Sequence, residues 1–135
     1  MEPRITIITL GVSNLKRSYR FYKDGLGLPT EDSPDKGIVF FQLDGIKLAL
    51  YPIDKLIEDV WPECKELESE KKKFTGITLA HNLETRDEVD QLLKRAEQAG
   101  AKIEKDAQEV FWGGYSGYFS DIDGHLWEVA CSNKE

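Results

Sequence analysis

Gly37-Ile-Val-Phe-Phe-Gln-Leu-Asp-Gly-Ile-Lys-Leu-Ala-Leu50 lines up without a gap on Ser116-Gly-Tyr-Phe-Ser-Asp-Ile-Asp-Gly-His-Leu-Trp-Glu-Val129. In that alignment Phe40 falls on Phe119, Asp44-Gly45 on Asp123-Gly124, and Leu50 on Val129. Upstream of each copy an apolar strand runs into a helix: residues 5–12 with the helix after Asn14, then residues 76–83 with the helix after Thr85. A repeat of roughly 70 residues, each reading strand, helix and a run of strands, indicates two copies of one supersecondary unit sharing a core. The division is one domain over residues 1–135, with module one at 1–53, a connector at 54–75 and module two at 76–135.

The local signals support this reading. Ile5-Thr-Ile-Ile-Thr-Leu-Gly-Val12 is β-branched, a strand signal. Ser13 or Asn14 caps the next helix, whose core stripe is either Leu15, Tyr19 and Tyr22 or Ser18, Phe21 and Tyr22. Asp24-Gly-Leu-Gly-Leu28 stops it, and a short strand is expected at residues 29–32. A hairpin follows at 38–43 and 46–51, turning at Asp44-Gly45, and a short helix at 55–60 opens the connector. In module two, Thr85-Arg-Asp-Glu88 is a capping box ahead of a helix with Val89, Leu92, Leu93 and Ala96 inward and Gly100 at its end. Strands at 101–110, 117–122 and 125–131 complete it.

Composition narrows the function classes. The chain has 135 residues, 32% of them charged, with a net charge of −7, which disfavours a nucleic-acid partner because phosphates call for a basic face. The basic run Lys71-Lys72-Lys73 follows Glu66, Glu68 and Glu70 and reads as a self-compensating linker. The longest apolar runs are too short to span a bilayer, and Met1-Glu-Pro-Arg4 lacks the pattern of a secretory leader. Cys64 and Cys131 sit in different halves without motif spacing, so a disulfide framework is not expected and a reducing cytoplasm fits.

Two tandem βαβββ units, with an aromatic and an Asp-x-Asp-Gly turn before the last strand, resemble the vicinal oxygen chelate superfamily. Glyoxalase I, extradiol dioxygenases, fosfomycin-modifying enzymes and bleomycin-resistance proteins belong to it. The resemblance is carried by Val12-Ser-Asn-Leu-Lys-Arg-Ser-Tyr-Arg-Phe-Tyr22 with Gly25-Leu-Gly-Leu28, and by Tyr118-Phe-Ser-Asp-Ile-Asp-Gly-His-Leu-Trp-Glu-Val129. The family's Asp-Pro-Asp-Gly turn is here Asp121-Ile122-Asp123-Gly124. The resemblance implies an α+β fold in which the modules form a partly open, barrel-like sheet around a cleft, and a homodimer. It also implies metal ligands at four equivalent positions, which in this chain are Ile7, Ala49, Thr78 and Glu128. Of these only Glu128 suits a divalent cation, too few for a zinc, magnesium or 2-His-1-carboxylate iron site, so no metal and no other cofactor is expected. His81 and His125 fall on other faces and read as structural.

Family geometry and period-two alternation put Ile7, Thr9, Lys47, Ala49, Tyr51, Thr78, Ala80, Leu126 and Glu128 on the cleft side, with Leu48, Leu50, Trp127 and Val129 toward the helices. A carboxylate in a mostly apolar cleft is either paired or has a raised pKa, which makes Glu128 a candidate general base. The other reading is a structural glutamate hydrogen-bonded to Thr78 or Thr9. Phe111-Trp112-Gly113-Gly114-Tyr115-Ser116-Gly117-Tyr118 supplies flat rings between glycines, and Trp112 and Tyr115 are the candidate aromatic ligand contacts. Tyr118, Phe119 and the first-helix aromatics are assigned to the core, and Trp61 to a packing anchor. Two functions are carried forward. One is a metal-independent binder of an aromatic or cationic small molecule, similar to bleomycin-resistance proteins. The other is a glyoxalase-like lyase, isomerase or epimerase with Glu128 as base.

Overall fold

β-Branched residues crowd β1 (Ile7–Val12), where they pack on a pleated surface with little loss of rotamer freedom. The computed structural model describes residues 1–60, 62, 75–110 and 113–132. It divides into two units, Met1–Lys73 and Phe74–Glu135, each built around its own sheet. Together they make a mixed α+β fold with sheets of three and four strands, neither closed on itself. Among the described residues no helix is long and apolar enough to cross a membrane.

In the first unit β1 leads to α1 (Leu15–Arg20), then β2 (Val39–Leu43), β3 (Ile46–Pro52) and α2 (Ile53–Val60). The sheet order is β1-β3-β2, with β1 parallel and β2 antiparallel to β3. Asn14 is the helix cap, its Oδ1 accepting from the Arg17 amide at 3.0 Å. The helix relaxes into a π turn at Phe21–Gly25, and Gly27 takes φ 79° to leave it. Of the two stripes the sequence allowed, Ser18, Phe21 and Tyr22 is the buried one. Val39, Phe41, Leu48 and Leu50 of the sheet are buried as well, and the Tyr22 and Phe41 rings lie 6.1 Å apart. Each such apolar side chain contributes about 1.5–3 kcal/mol by leaving water. The hairpin turns at Asp44-Gly45 as read from the sequence, with Gly45 at φ 76°.

Residues 29–32 do not form the expected strand. Side chains replace the ladder there. Phe40 donates its amide to Asp32 Oδ2 at 2.9 Å, and its carbonyl accepts from Thr30 Oγ1 at 2.5 Å, so the outer edge of β2 is closed at that residue. The Phe40 amide holds the Asp32 carboxyl below its usual range, with Lys36 adding to the effect.

The second unit runs β4 (Leu79–Leu83), α3 (Arg86–Gln98), β5 (Lys102–Glu109), β6 (Gly114–Ser120) and β7 (Leu126–Ser132), in sheet order β4-β7-β6-β5. The capping box forms as read: Glu88 donates its amide to Thr85 Oγ1 and its carboxylate accepts the Thr85 amide, both at 3.1 Å. Val89, Leu93 and Ala96 of α3 are buried against the sheet, which presents Phe119, Val129 and Cys131. β6 starts three residues earlier than the sequence indicated. Gly113 turns at φ 89° while Gly114 is already a buried strand residue, so only the first of the paired glycines belongs to the exposed turn.

The register corrects the gapless alignment of the repeat. Glu128 is the equivalent of Ala49, yet its cross-strand partner is Tyr118, whereas that of Ala49 is Phe40. Phe40 therefore corresponds to Tyr118, and Phe41 to Phe119. The loop of the second hairpin is longer by one residue, closed by the Asp121 amide on the His125 carbonyl at 2.9 Å. Buried Asp121 braces it, Oδ1 accepting the amides of Asp123 at 2.9 Å and His125 at 2.8 Å.

Gly117 lies under α3 where a side chain has no room: an added Cβ would sit 2.9 Å from Leu93 Cδ1, the Lys105 carbonyl oxygen and the Ala107 nitrogen. Two of these neighbours are backbone and cannot yield. Gly117→Ala is expected to destabilise the protein by about 1–3 kcal/mol, measured by urea unfolding.

Candidate functional site

Alternation along β7 separates two chemistries. Trp127 and Val129 turn toward α3, and the Trp127 ring stacks on Phe119 with centroids 6.2 Å apart and planes 6° from parallel. Glu128 must then emerge on the opposite face, half-buried. Register places Tyr118, Ser116, Ala130 and Ala80 on that face around it. Ser116 is 2% exposed and donates its hydroxyl to Glu128 Oε2 at 3.0 Å. This diagonal pairing across β6 and β7 fixes one carboxylate oxygen. Within the second unit Thr78 does not hold it, and among the described residues of that unit Ser116 is its hydrogen-bond donor. Further along the same face Ser120 donates to Glu104 Oε2 at 2.7 Å, and Lys102 lies 3.9 Å from Glu104 Oε1.

In the first unit Ile7, Thr9, Lys47, Ala49 and Tyr51 share one face, as the pairs Ile7–Lys47 and Thr9–Ala49 require. Phe40 joins them, with Lys47 Nζ 5.6 Å from its ring centroid. Ala49 is fully buried, while Ile7, Thr9 and Lys47 are exposed. Ile53 of α2 covers the end of this face at Gly11, where a Cβ would meet it at 3.0 Å. Thr78 is exposed and sits immediately before β4. Trp112 and Trp61 lie outside the described residues.

Tyr115 does not join Glu128. It falls on the helix side of β6, an odd number of residues from Ser116 and Tyr118, and its hydroxyl donates to Asp90 Oδ1 at 2.7 Å. Arg86 stacks 4.8 Å from its ring centroid and reaches Glu109 at 3.4 Å. Tyr118, assigned to the core from sequence, is instead half-buried on the Glu128 face. The signal that would have found it was the odd spacing from Phe119, once the loop length was known.

Of the four positions that the resemblance implies for metal, Ile7 and Ala49 in the first unit carry no donor atom, while Thr78 and Glu128 in the second carry one hydroxyl and one carboxylate. Neither pair by itself fits a divalent cation, which takes several oxygen, nitrogen or sulfur ligands. Among the described residues no three His, Cys, Asp or Glu side chains gather into a metal-holding group.

The hydrogen bond to Asp90, and then burial, push the Tyr115 phenol above its ordinary value. A raised folded value means that the contribution to stability is complete below the unfolded tyrosine value of about 10 and fades as pH rises through the folded one. Tyr115→Phe is expected to cost about 1 kcal/mol or less at neutral pH. It should also lessen the loss of stability above about pH 10, read by urea unfolding across that range.

The model of the Glyoxalase/Bleomycin resistance protein/Dioxygenase superfamily matches residues 4–129. A glyoxalase-related enzyme from Fulvimarina pelagi is 33% identical, with a TM-score of 0.84 over 96% of this chain and 88% of its own. A glyoxalase/bleomycin resistance protein/dioxygenase from Nocardioides is 23% identical, with a TM-score of 0.77 over 99% of this chain and 86% of its own. A genomically encoded fosfomycin resistance protein from Listeria monocytogenes is 22% identical, with a TM-score of 0.71 over 98% and 95%. The last two speak to the fold alone. No curated protein matches the chain. Motif, topology and match over nearly the whole length agree: this chain belongs to the Glyoxalase/Bleomycin resistance protein/Dioxygenase superfamily.

Proposed function

We propose that this chain is a metal-independent small-molecule-binding protein of the glyoxalase/bleomycin-resistance type, taking an aromatic or cationic ligand. One observation carries the reading. At the four positions that the resemblance implies for metal, this chain offers a single carboxylate, and that carboxylate is tethered to Ser116 beside Tyr118 on one face of its sheet. An anion and an aromatic ring suit recognition of a ligand without Lewis-acid help. The protein works as a cytoplasmic homodimer under the same reading.

A second reading has support from the 33% identical relative, which is described as an enzyme. Here Glu128 removes a proton α to a carbonyl, as lyases, isomerases and epimerases of glyoxalase type do. The C–H electron pair passes to the carbonyl oxygen as an enolate, and the proton stays on the carboxyl until it is returned to carbon. The enolate would need stabilising donors, with Thr78 or backbone amides of the same unit as the candidates.

Elemental mass spectrometry on protein purified without chelator, then offered Ni²⁺, Zn²⁺, Mn²⁺ and Fe²⁺, is expected to find no near-stoichiometric metal. A metal at one equivalent overturns the primary reading. Glu128→Gln separates the two functions: with a binding protein the fold and the affinity for neutral ligands persist, whereas with the enzyme turnover is abolished and the fold persists.

A further inference from the structure

Tyr118 is the direct cross-strand partner of Glu128, half-buried on the same face, and its hydroxyl has no hydrogen bond to the described residues. On the other side of Glu128 the β4 partner is Ala80, a residue with no polar side-chain atom to pair with the carboxylate. Ser116 occupies Oε2 at 3.0 Å and leaves Oε1 to accept from a ligand. An anionic acceptor beside the face of an aromatic ring complements a cation that carries N–H groups. The carboxylate takes the hydrogen bonds while the ring takes the charge.

Among the described residues no cation pairs with Glu128. Lys105 is the β5 partner of Tyr118, two strands away from Glu128, a separation of roughly 10 Å at ordinary strand spacing. Lys102 is matched by Glu104 at 3.9 Å, and Glu104 is held by Ser120 at 2.7 Å. The β6 serines on either side of Tyr118 thus each anchor a glutamate.

We propose that Tyr118 and Glu128 form a subsite for a protonated amine, with Ser116 as the positioning residue that aims the carboxylate. The subsite rests on the reading of this chain as a small-molecule binder, and it deepens that reading by naming the charge and functional group of the ligand.

The test uses benzylamine as probe, with benzyl alcohol as the neutral and benzoate as the anionic counterpart, followed by amide chemical shifts of the full chain. Benzylamine is expected to move the amides of residues 116, 118 and 128 and to bind roughly tenfold or more tighter than benzyl alcohol. Glu128→Gln should erase that preference. Tyr118→Leu should weaken benzylamine about two- to fivefold, with amide dispersion reporting that the fold is kept. Ser116→Ala should weaken benzylamine and leave benzyl alcohol unchanged, a selectivity that a merely structural serine would not produce. Equal affinity for amine and alcohol, shifts confined to other surfaces, or no binding of any probe overturns the subsite. Equal affinity on this face would leave the binding-protein reading standing. Near-stoichiometric metal in the same preparation would remove that reading while leaving an observed amine preference intact.

Discussion

Everything at the candidate site depends on the strict two-residue period of β7. Val129 is fully buried beneath α3, and the Trp127 ring lies flat on Phe119, so neither can turn outward without opening the core. Their burial fixes the strand register, and the register alone carries Glu128 to the opposite face. The neighbouring strand obeys the same rule. Gly117 is pinned under Leu93 and Phe119 is buried, which leaves Ser116 and Tyr118 facing the carboxylate. Packing on one side of the sheet has thus arranged the polar chemistry on the other.

Much of the fold was legible because its signals are local and physical. The capping box at Thr85 and Glu88, the Asp44-Gly45 turn and the apolar stripe of α3 each declare themselves within a few residues. Faces followed from period two: Leu48 and Leu50 are buried beside α1, and Glu128 lies opposite Trp127. What escaped was a count rather than a propensity. One extra residue in the Asp121 loop shifts β6 against the repeat, and with period two that shift exchanges the faces of Tyr118 and Phe119. A gapless alignment has no means of seeing it.

The candidate site was legible in part for the same reason. Glu128 stood out as the lone carboxylate in an apolar strand, but its partner Ser116 lies diagonally across a hairpin and is invisible to any reading along the chain. Tyr115 drew attention as an aromatic among glycines. Its tie to Asp90 spans 25 residues and belongs to the helix side of the sheet. Composition marks a ring as available for recognition, while pairing decides which side of the sheet it serves.

The closure of β2 at Phe40 has its own consequence. A free strand edge is a template on which another chain can lay down hydrogen bonds, and here both backbone groups of Phe40 are taken by Asp32 and Thr30. The stitch is made by side chains, so it occupies the margin without presenting a new backbone edge of its own at that point. Its carboxylate stays ionised further into acid than an ordinary aspartate. Mild acidification, which unpairs many carboxylates and encourages strands to associate between molecules, therefore leaves this margin of the sheet guarded against cross-β growth.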